Sequence, residues 1–358
     1  MAFTTINDPS VYFQTVLYTG DGNSTQAITN DGNSDLQPDW IWTKQRSHAV
    51  GHNLTDSSRG ASKALFSEVA DAEDTGGNIS SFNSDGFTTT DANRTNQSGR
   101  TFVAWQWKAN GGTTTTNDAS ATSIGTIDSV YQANTTAGFS IVTHTGTGAN
   151  GTIAHGLGAA PNVVLLKCRS NGGSSWMMFH TGLGNNAKTL ALEESDAEVT
   201  ESSPYYSFNN TAPTSTVFSV GSGNTTNGSS RTFVTYCFAE KQGYSKFGNY
   251  VGNGSSEGTY VYTGFRPAWI MIKRTDSSTN GNWFIIDDKR STGNVRLGHL
   301  RANQTNEENT STNQSIDFLA NGFKLRDSNT SLNSGSYVYL AFAKHPFTSS
   351  KGVPATAV

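Results

Sequence analysis

The chain has 358 residues, long enough for two or three ordinary domains of roughly 100–200 residues, so one core is not expected to serve the whole. Hydrophobic residues make up 34% and charged residues 15%, and 37 glycines point to many turns, yet 7 Trp, 12 Tyr and 19 Phe carry too much apolar surface for a disordered chain. A net charge of −4 gives no electrostatic reason for nucleic-acid binding, no apolar run approaches the roughly 18 residues of a membrane span, and the N-terminus lacks the basic and apolar stretches of a secretion signal.

In chain order, the first element is an aromatic-led strand from Phe13 that runs into Gly20-Asp21-Gly22. A proline-led strand follows, Pro38-Asp39-Trp40-Ile41-Trp42-Thr43-Lys44, apolar on successive positions and so expected to be covered on both faces. Proline at its first residue costs no ladder hydrogen bond. After it come a second run, His52 to Asp56, and a mixed segment, Lys63 to Ala72, which fits a strand or a helical turn equally. A hairpin closes the set, from Gly86-Phe87 to Phe102 through Trp107. Val103, Trp105 and Trp107 alternate along its last strand, which predicts a half-buried strand with one core face.

The same series then recurs twice. Phe139 leads to Gly146-Thr147-Gly148, and Tyr244 leads to Gly252-Asn253-Gly254. The proline-led strands are Pro161 to Lys167 and Pro267 to Lys273. The second runs are Trp176 to Phe179 and Trp283 to Ile286, with mixed segments at Lys188–Ala197 and Val295–Ala302. The closing hairpins run from Val217-Phe218 to Phe233–Phe238 and from Gly322-Phe323 to Tyr337–Phe342. Their first aromatics stand 15, 15 and 14 residues before the closing strand in the three copies. The predicted fold is all-β: three tandem antiparallel β-sandwich modules of one repeated type. Module 1 spans residues 1–110, a Thr-rich linker and leading segment 111–137, module 2 138–241, module 3 242–347, and a tail 348–358.

Catalytic motifs are scarce. Gly252-x-Gly254-x-x-x-Gly258 resembles a phosphate cradle, but no helix pattern follows, which leaves turn glycines. Glu193-Glu194, Asp287-Asp288 and Glu307-Glu308 are adjacent in sequence. On a strand adjacent side chains point to opposite faces, whereas glycosidase carboxylates face each other across about 5–5.5 or 6.5–9.5 Å; they are expected to be solvated turn and edge charges. Asp31-Gly32-Asn33-Ser34-Asp35 offers oxygen ligands without the length or bidentate Glu of an EF-hand, which favours an Asx-rich turn over a calcium site. Cys168 and Cys237 fall in apolar strands and read as small hydrophobes. No Gly-x-Ser-x-Gly or His-Glu-x-x-His pattern is present. The expectation is a protein that is not an enzyme and carries no cofactor and no metal.

At Gly243–Gly254, Tyr262–Arg274 and Ile316–Arg326 the chain resembles repeat-containing virion proteins of tailed, often marine, bacteriophages. Asp85-Gly86-Phe87 is similar to the hairpin of SPRY and concanavalin-like sandwiches. The resemblance implies a virion component of tail-fibre or tail-appendage type, made in the host cytoplasm. Its implied partners are other virion proteins, copies of itself, and a glycan or protein on the host surface, with no nucleic acid and no membrane insertion. The alternative is an architectural protein that decorates the capsid or joins tail parts without a receptor. Binding is expected on the loops of the closing hairpins, at Asn93, Arg94, Asn96, Arg100, Asn227, Arg231, Asn329 and Asn333.

Overall fold

The computed structural model describes residues 4–203 and 206–354, and among these no helix exceeds four residues. The all-β expectation holds. The first strands are β1 (Phe13–Thr19), β2 (Thr25–Ile28), β3 (Trp40–Gln45), β4 (Asn53–Asp56), β5 (Ile79–Asn83), β6 (Gly86–Thr90) and β7 (Thr101–Trp107). They form a main sheet in the order β1-β7-β3-β4 and a small sheet β2-β6-β5, all pairs antiparallel.

Strands β8 (Thr115–Asn117) and β9 (Ser129–Asn134) come from the stretch read as a linker. That reading is corrected: β9 pairs along β10 (Phe139–Thr145) and β8 along β9, so the segment is folded into the next sheet. Composition misled here, because an edge strand is held by its backbone and accepts polar side chains. The chain leading into it is also fixed, as Asp39 accepts hydrogen bonds from the backbone N–H groups of Ala109, Gly111 and Gly112.

The chain continues through β11 (Gly151–Ala154), β12 (Val163–Cys168), β13 (Met177–His180), β14 (Lys188–Ala191), β15 (Val199–Thr200), β16 (Val217–Val220) and β17 (Thr232–Phe238). It ends with β18 (Ser245–Val251), β19 (Tyr260–Tyr262), β20 (Phe265–Arg274), β21 (Trp283–Asp287), β22 (Leu300–Arg301), β23 (Ile316–Leu319), β24 (Gly322–Leu325) and β25 (Ser336–Pro346). The second main sheet contains the order β10-β17-β12-β13 and the third β18-β25-β20-β21, the order of the first sheet again. Their small sheets are β11-β16 and β19-β24-β23. Each main sheet with its small sheet is called a sandwich below. Pro267 does not open its strand but lies inside β20 at a register shift, where the missing N–H breaks no regular ladder.

Each main sheet is buried on both faces. One face packs on its own small sheet: Ile41 and Ala104 with Phe87, Val164 and Cys237 with Phe218, Ile270 and Tyr339 with Phe323. The other faces of all three join one central cluster that includes Trp40, Trp107, Leu165, Tyr236, Trp269 and Phe342. Trp40 stacks on Tyr236 at 4.3 Å between centroids, Trp107 meets Trp269 edge-on at 5.6 Å, and Phe238 meets Phe342 at 5.9 Å. All three pairs of main sheets therefore touch. This explains the successive apolar residues of β3, β12 and β20. It corrects two expectations: a single core does draw on the whole chain, and the closing strands β7, β17 and β25 are covered on both faces.

Aromatic N–H donors at the three joints run in one sense around a closed ring. An aromatic N–H at one register position donates to a backbone carbonyl of the neighbouring sandwich: Trp176 to Phe66 at 2.8 Å and Trp283 to Ala191 at 3.0 Å. His52 does the same to Arg301 at 2.9 Å, its Nδ1 accepting from the Trp42 indole, which leaves the proton on Nε2. Backbone bonds close the same joints in the opposite sense: Glu73 N to Arg169 O, Glu198 N to Thr275 O and Glu308 N to Arg46 O. The three mixed segments supply the carbonyls that accept from Trp176, Trp283 and His52.

Candidate functional site

The closing-hairpin loops were the predicted binding residues, and three of them are corrected. Asn96, Asn227 and Asn333 are each 0% exposed. Each holds the Gly-x-Gly turn of its own sandwich, accepting at Oδ1 from the backbone N–H of Asp21 (3.0 Å), Thr147 (3.0 Å) or Asn253 (3.2 Å). Their Nδ2 groups donate to the carbonyls of Asn23, Ala149 and Ser255. A buried, satisfied amide is a structural brace, because freeing it for a ligand would leave turn N–H groups unpaired. The turn glycines are needed for close approach: a Cβ on Gly20 would lie 2.4 Å from Gln97 O, and one on Gly146 2.3 Å from Gly228 O.

The other predicted residues divide. Arg94 is half-buried, donates to His52 O and Glu68 Oε1 at 2.7 Å, and lies 4.1 Å over the Phe66 ring. It clamps sandwich 1. Asn329 shapes its own turn, accepting from Ser331 N at 2.7 Å. Arg231 reaches Asn224 O at 3.3 Å, Arg100 rests against His48, and Asn93 is exposed. These last three belong to two different sandwiches and remain surface polar groups.

Several buried ionisable groups are committed to the joints. Asp56 and Arg59 form an ion pair with both side chains 0% exposed, and the Tyr236 hydroxyl of sandwich 2 donates to Asp56 at 2.7 Å. Asp287 and Arg290 repeat this in sandwich 3, where Asp287 accepts from the Trp105 indole of sandwich 1 at 3.0 Å. Glu308 joins Arg290 to Arg46, as Glu73 joins Arg59 to Arg169. Glu193 is buried and accepts from Trp176 N at 3.0 Å. The expectation of solvated charges is thus corrected at Glu193, Asp287 and Glu308, because neighbouring sandwiches cover edges that sequence leaves open.

Three lysines, Lys44, Lys167 and Lys273, close the apolar runs of β3, β12 and β20, and all three are 0% exposed. Lys167 donates to Ala70 O, and Lys273 to Ser195 O and Asp196 O, again across joints. Burial depresses Lys44, Lys167 and Lys273 to about 8. A lysine near pH 8 suits a nucleophile, but these reach only carbonyls inside the protein. Their recurrence at the end of every apolar strand was the available signal for the joints. Cys168 and Cys237 are free and buried. Asp31 pairs with Lys289 of sandwich 3 at 2.8 Å, and Gly32 N donates to Gln14.

A different surface departs from this economy. All seven tryptophans are buried, yet Tyr260 and Tyr262 on β19 are 43% and 59% exposed. Tyr262 edges a groove of about 460 Å³ lined also by Glu240, Gln242, Lys246, Gly264 and Thr348. The Tyr260 hydroxyl donates to Asn321 Oδ1 at 2.7 Å. Sequence reading passed over both tyrosines, since an alternating strand does not show which of its faces lacks a cover.

A family model described as a domain of unknown function, DUF7483, matches residues 8–346. The chain belongs to the DUF7483 family. The match runs through all three sandwiches. No curated protein and no solved structure matches the chain.

Proposed function

We propose that this DUF7483 protein is a non-enzymatic surface component of a tailed-phage particle, of tail-appendage type, that attaches to a host-cell receptor. The observation that carries the reading is the contrast between a ring in which the buried Asp56–Arg59 and Asp287–Arg290 pairs hold sandwiches together and an exposed, tyrosine-edged groove on sandwich 3. A rigid scaffold with an unabsorbed aromatic surface is the usual build of a binding protein. The sequence resemblance to repeat-containing virion proteins supports the setting. Immunogold labelling of the particle, paired with adsorption of purified protein to host cells, tests it. Label at the tail with cell binding is the expected result; label over the head with no cell binding overturns it.

The architectural reading draws on the same patch. Val251, 69% exposed, lies close to Tyr260 through the bond from Thr259 Oγ1 to Val251 O, and such a patch would also suit a contact between subunits. Mass photometry separates the readings. A concentration-independent oligomer lost in Val251→Asp favours the capsid-decoration or tail-joining role.

A further inference from the structure

We propose that the groove beside Tyr262, continued along Tyr260, binds a neutral oligosaccharide of at least two pyranose units. The inference rests on the attachment reading and adds to it the site and the class of ligand.

The fold itself does not require the two tyrosines. Register aligns Val261 with Ile28 and Ile153, which face Phe323, Phe87 and Phe218 respectively. The positions flanking them are Tyr260 and Tyr262 in sandwich 3, Ala27 and Thr29 in sandwich 1, and Thr152 and Ala154 in sandwich 2. Two small residues suffice to build this strand elsewhere. Only sandwich 3 puts large rings on its outer face, at a cost in exposed apolar area.

The geometry suits sugar rings. Residues i and i+2 of a strand share a face about 6.7 Å apart, a spacing on the scale of one pyranose. Tyr260 lies against the sheet over Gly322, where a Cβ would come 3.1 Å from the ring, and its hydroxyl is tethered to Asn321. One ring face is thereby presented outward with little rotamer freedom left to lose. The C–H face of a pyranose packs on such a ring while its hydroxyls turn to polar neighbours.

Charge argues for a neutral ligand. Glu240 is paired with Lys246 at 2.6 Å, and Glu257 with Lys324 at 2.8 Å and Arg326 at 3.7 Å. The groups around the tyrosines compensate each other, so they offer donors and acceptors without demanding a counter-ion. The groove volume of about 460 Å³ falls within the range of small-molecule sites.

The test uses the full chain on an array of neutral and acidic oligosaccharides, followed by calorimetric titration of the strongest binder. Neutral glycans should bind. Tyr262→Ala and Tyr260→Ala should each weaken affinity about tenfold or more, the double variant should abolish binding, and Thr152→Ala at the matching site of sandwich 2 should change nothing. An unchanged near-ultraviolet circular dichroism spectrum shows that the variants are folded. A blank array, binding of acidic glycans alone, or affinity that survives the double variant overturns the proposal. Host-cell adsorption separates the two levels: cells bound equally by wild type and double variant keep the attachment reading and remove this site. Tyrosine-dependent sugar binding without adsorption keeps the site and removes attachment.

Discussion

Two joints of the ring are closed by a buried ion pair, and the third is closed without one. Register makes Asp56, His180 and Asp287 equivalent, opposite Trp40, Val163 and Trp269. Three residues on, Arg59 and Arg290 correspond to Leu183. Where Tyr236 and Trp105 donate to the aspartates from the neighbouring sandwich, the third joint has Leu340, which with Leu183 belongs to the central apolar cluster. His180 instead meets Tyr339 O at 3.2 Å. The same backbone frame thus accepts either a fully paired charge network or an apolar filling. Buried ion pairs behave this way in general: exchange of the whole set for apolar groups is near neutral, while removal of one partner is not.

The largest effect should come from leaving the pair half made. Arg59→Leu strands the Asp56 carboxylate in a site with no exposure and should cost about 3–5 kcal/mol, read as a fall in the urea midpoint. The triple change Asp56→His, Arg59→Leu, Tyr236→Leu copies the third joint and should recover most of that loss. If the triple variant is as unstable as the single one, the two kinds of joint are not interchangeable.

Acid should separate the joints next. Burial pushes His180 down to about 4, against the opposing bond to Tyr339 O. The unfolded chain therefore takes up a proton below about pH 6.5 that the folded protein refuses, and stability falls as pH drops from 6.5 to 4, by about 3 kcal/mol for one such group. His144 and His299, also held at about 4 by burial, add to the same limb. For Glu73 burial acts upward, but Arg169 and Arg59 outweigh it and hold the carboxyl below its usual range. Its contribution is present above about pH 4.5 and is lost as pH falls through the lowered value. His180→Asn should flatten the limb between 6.5 and 4 by one proton, and Glu73→Gln should alter only the limb below it. Urea midpoints across pH report both slopes.

The hydrogen bonds shared by all joints come third. Trp283→Phe keeps the ring packing and takes the indole donor from Ala191 O, which keeps only the longer bond from Glu194 N at 3.4 Å, and should cost about 1–2 kcal/mol; Trp176→Phe should match it at Phe66 O. Unequal losses would show that the joints differ in tightness as well as in charge.

What sequence shows and hides follows the same division. Trp40-Ile41-Trp42 states that its strand is covered twice, because every side chain on both faces is apolar. It is silent on what covers it, so a shared centre was unreadable. Lys44, Lys167 and Lys273 recur at the end of each apolar run, and for Lys167 and Lys273 the meaning lies in carbonyls some 77–97 positions away in the chain. Glu193, Asp287 and Glu308 look like edge charges for the same reason: alternation names the face of a strand, never its neighbour. Asn96, Asn227 and Asn333 were found by their place in polar loops, yet polar loop composition fits a brace as well as a contact.

The smallest effect belongs to the exposed tyrosines, and its smallness is what makes it informative. The buried aromatics of the central cluster hold the sandwiches together, so a substitution there changes folding and any activity together. Tyr260 and Tyr262 stand where sandwiches 1 and 2 have alanine and threonine. Tyr260→Ala with Tyr262→Thr should therefore move the urea midpoint by no more than about 0.5 kcal/mol, the range of ordinary surface changes. The Tyr260 hydroxyl's bonds to Asn321 are exposed, and water replaces them. A loss above about 1 kcal/mol would mean that the rings brace the edge of the β19-β24-β23 sheet. A loss near zero leaves them no structural duty, and a region that carries large aromatic surface without stabilising the fold is then the region built to meet something else.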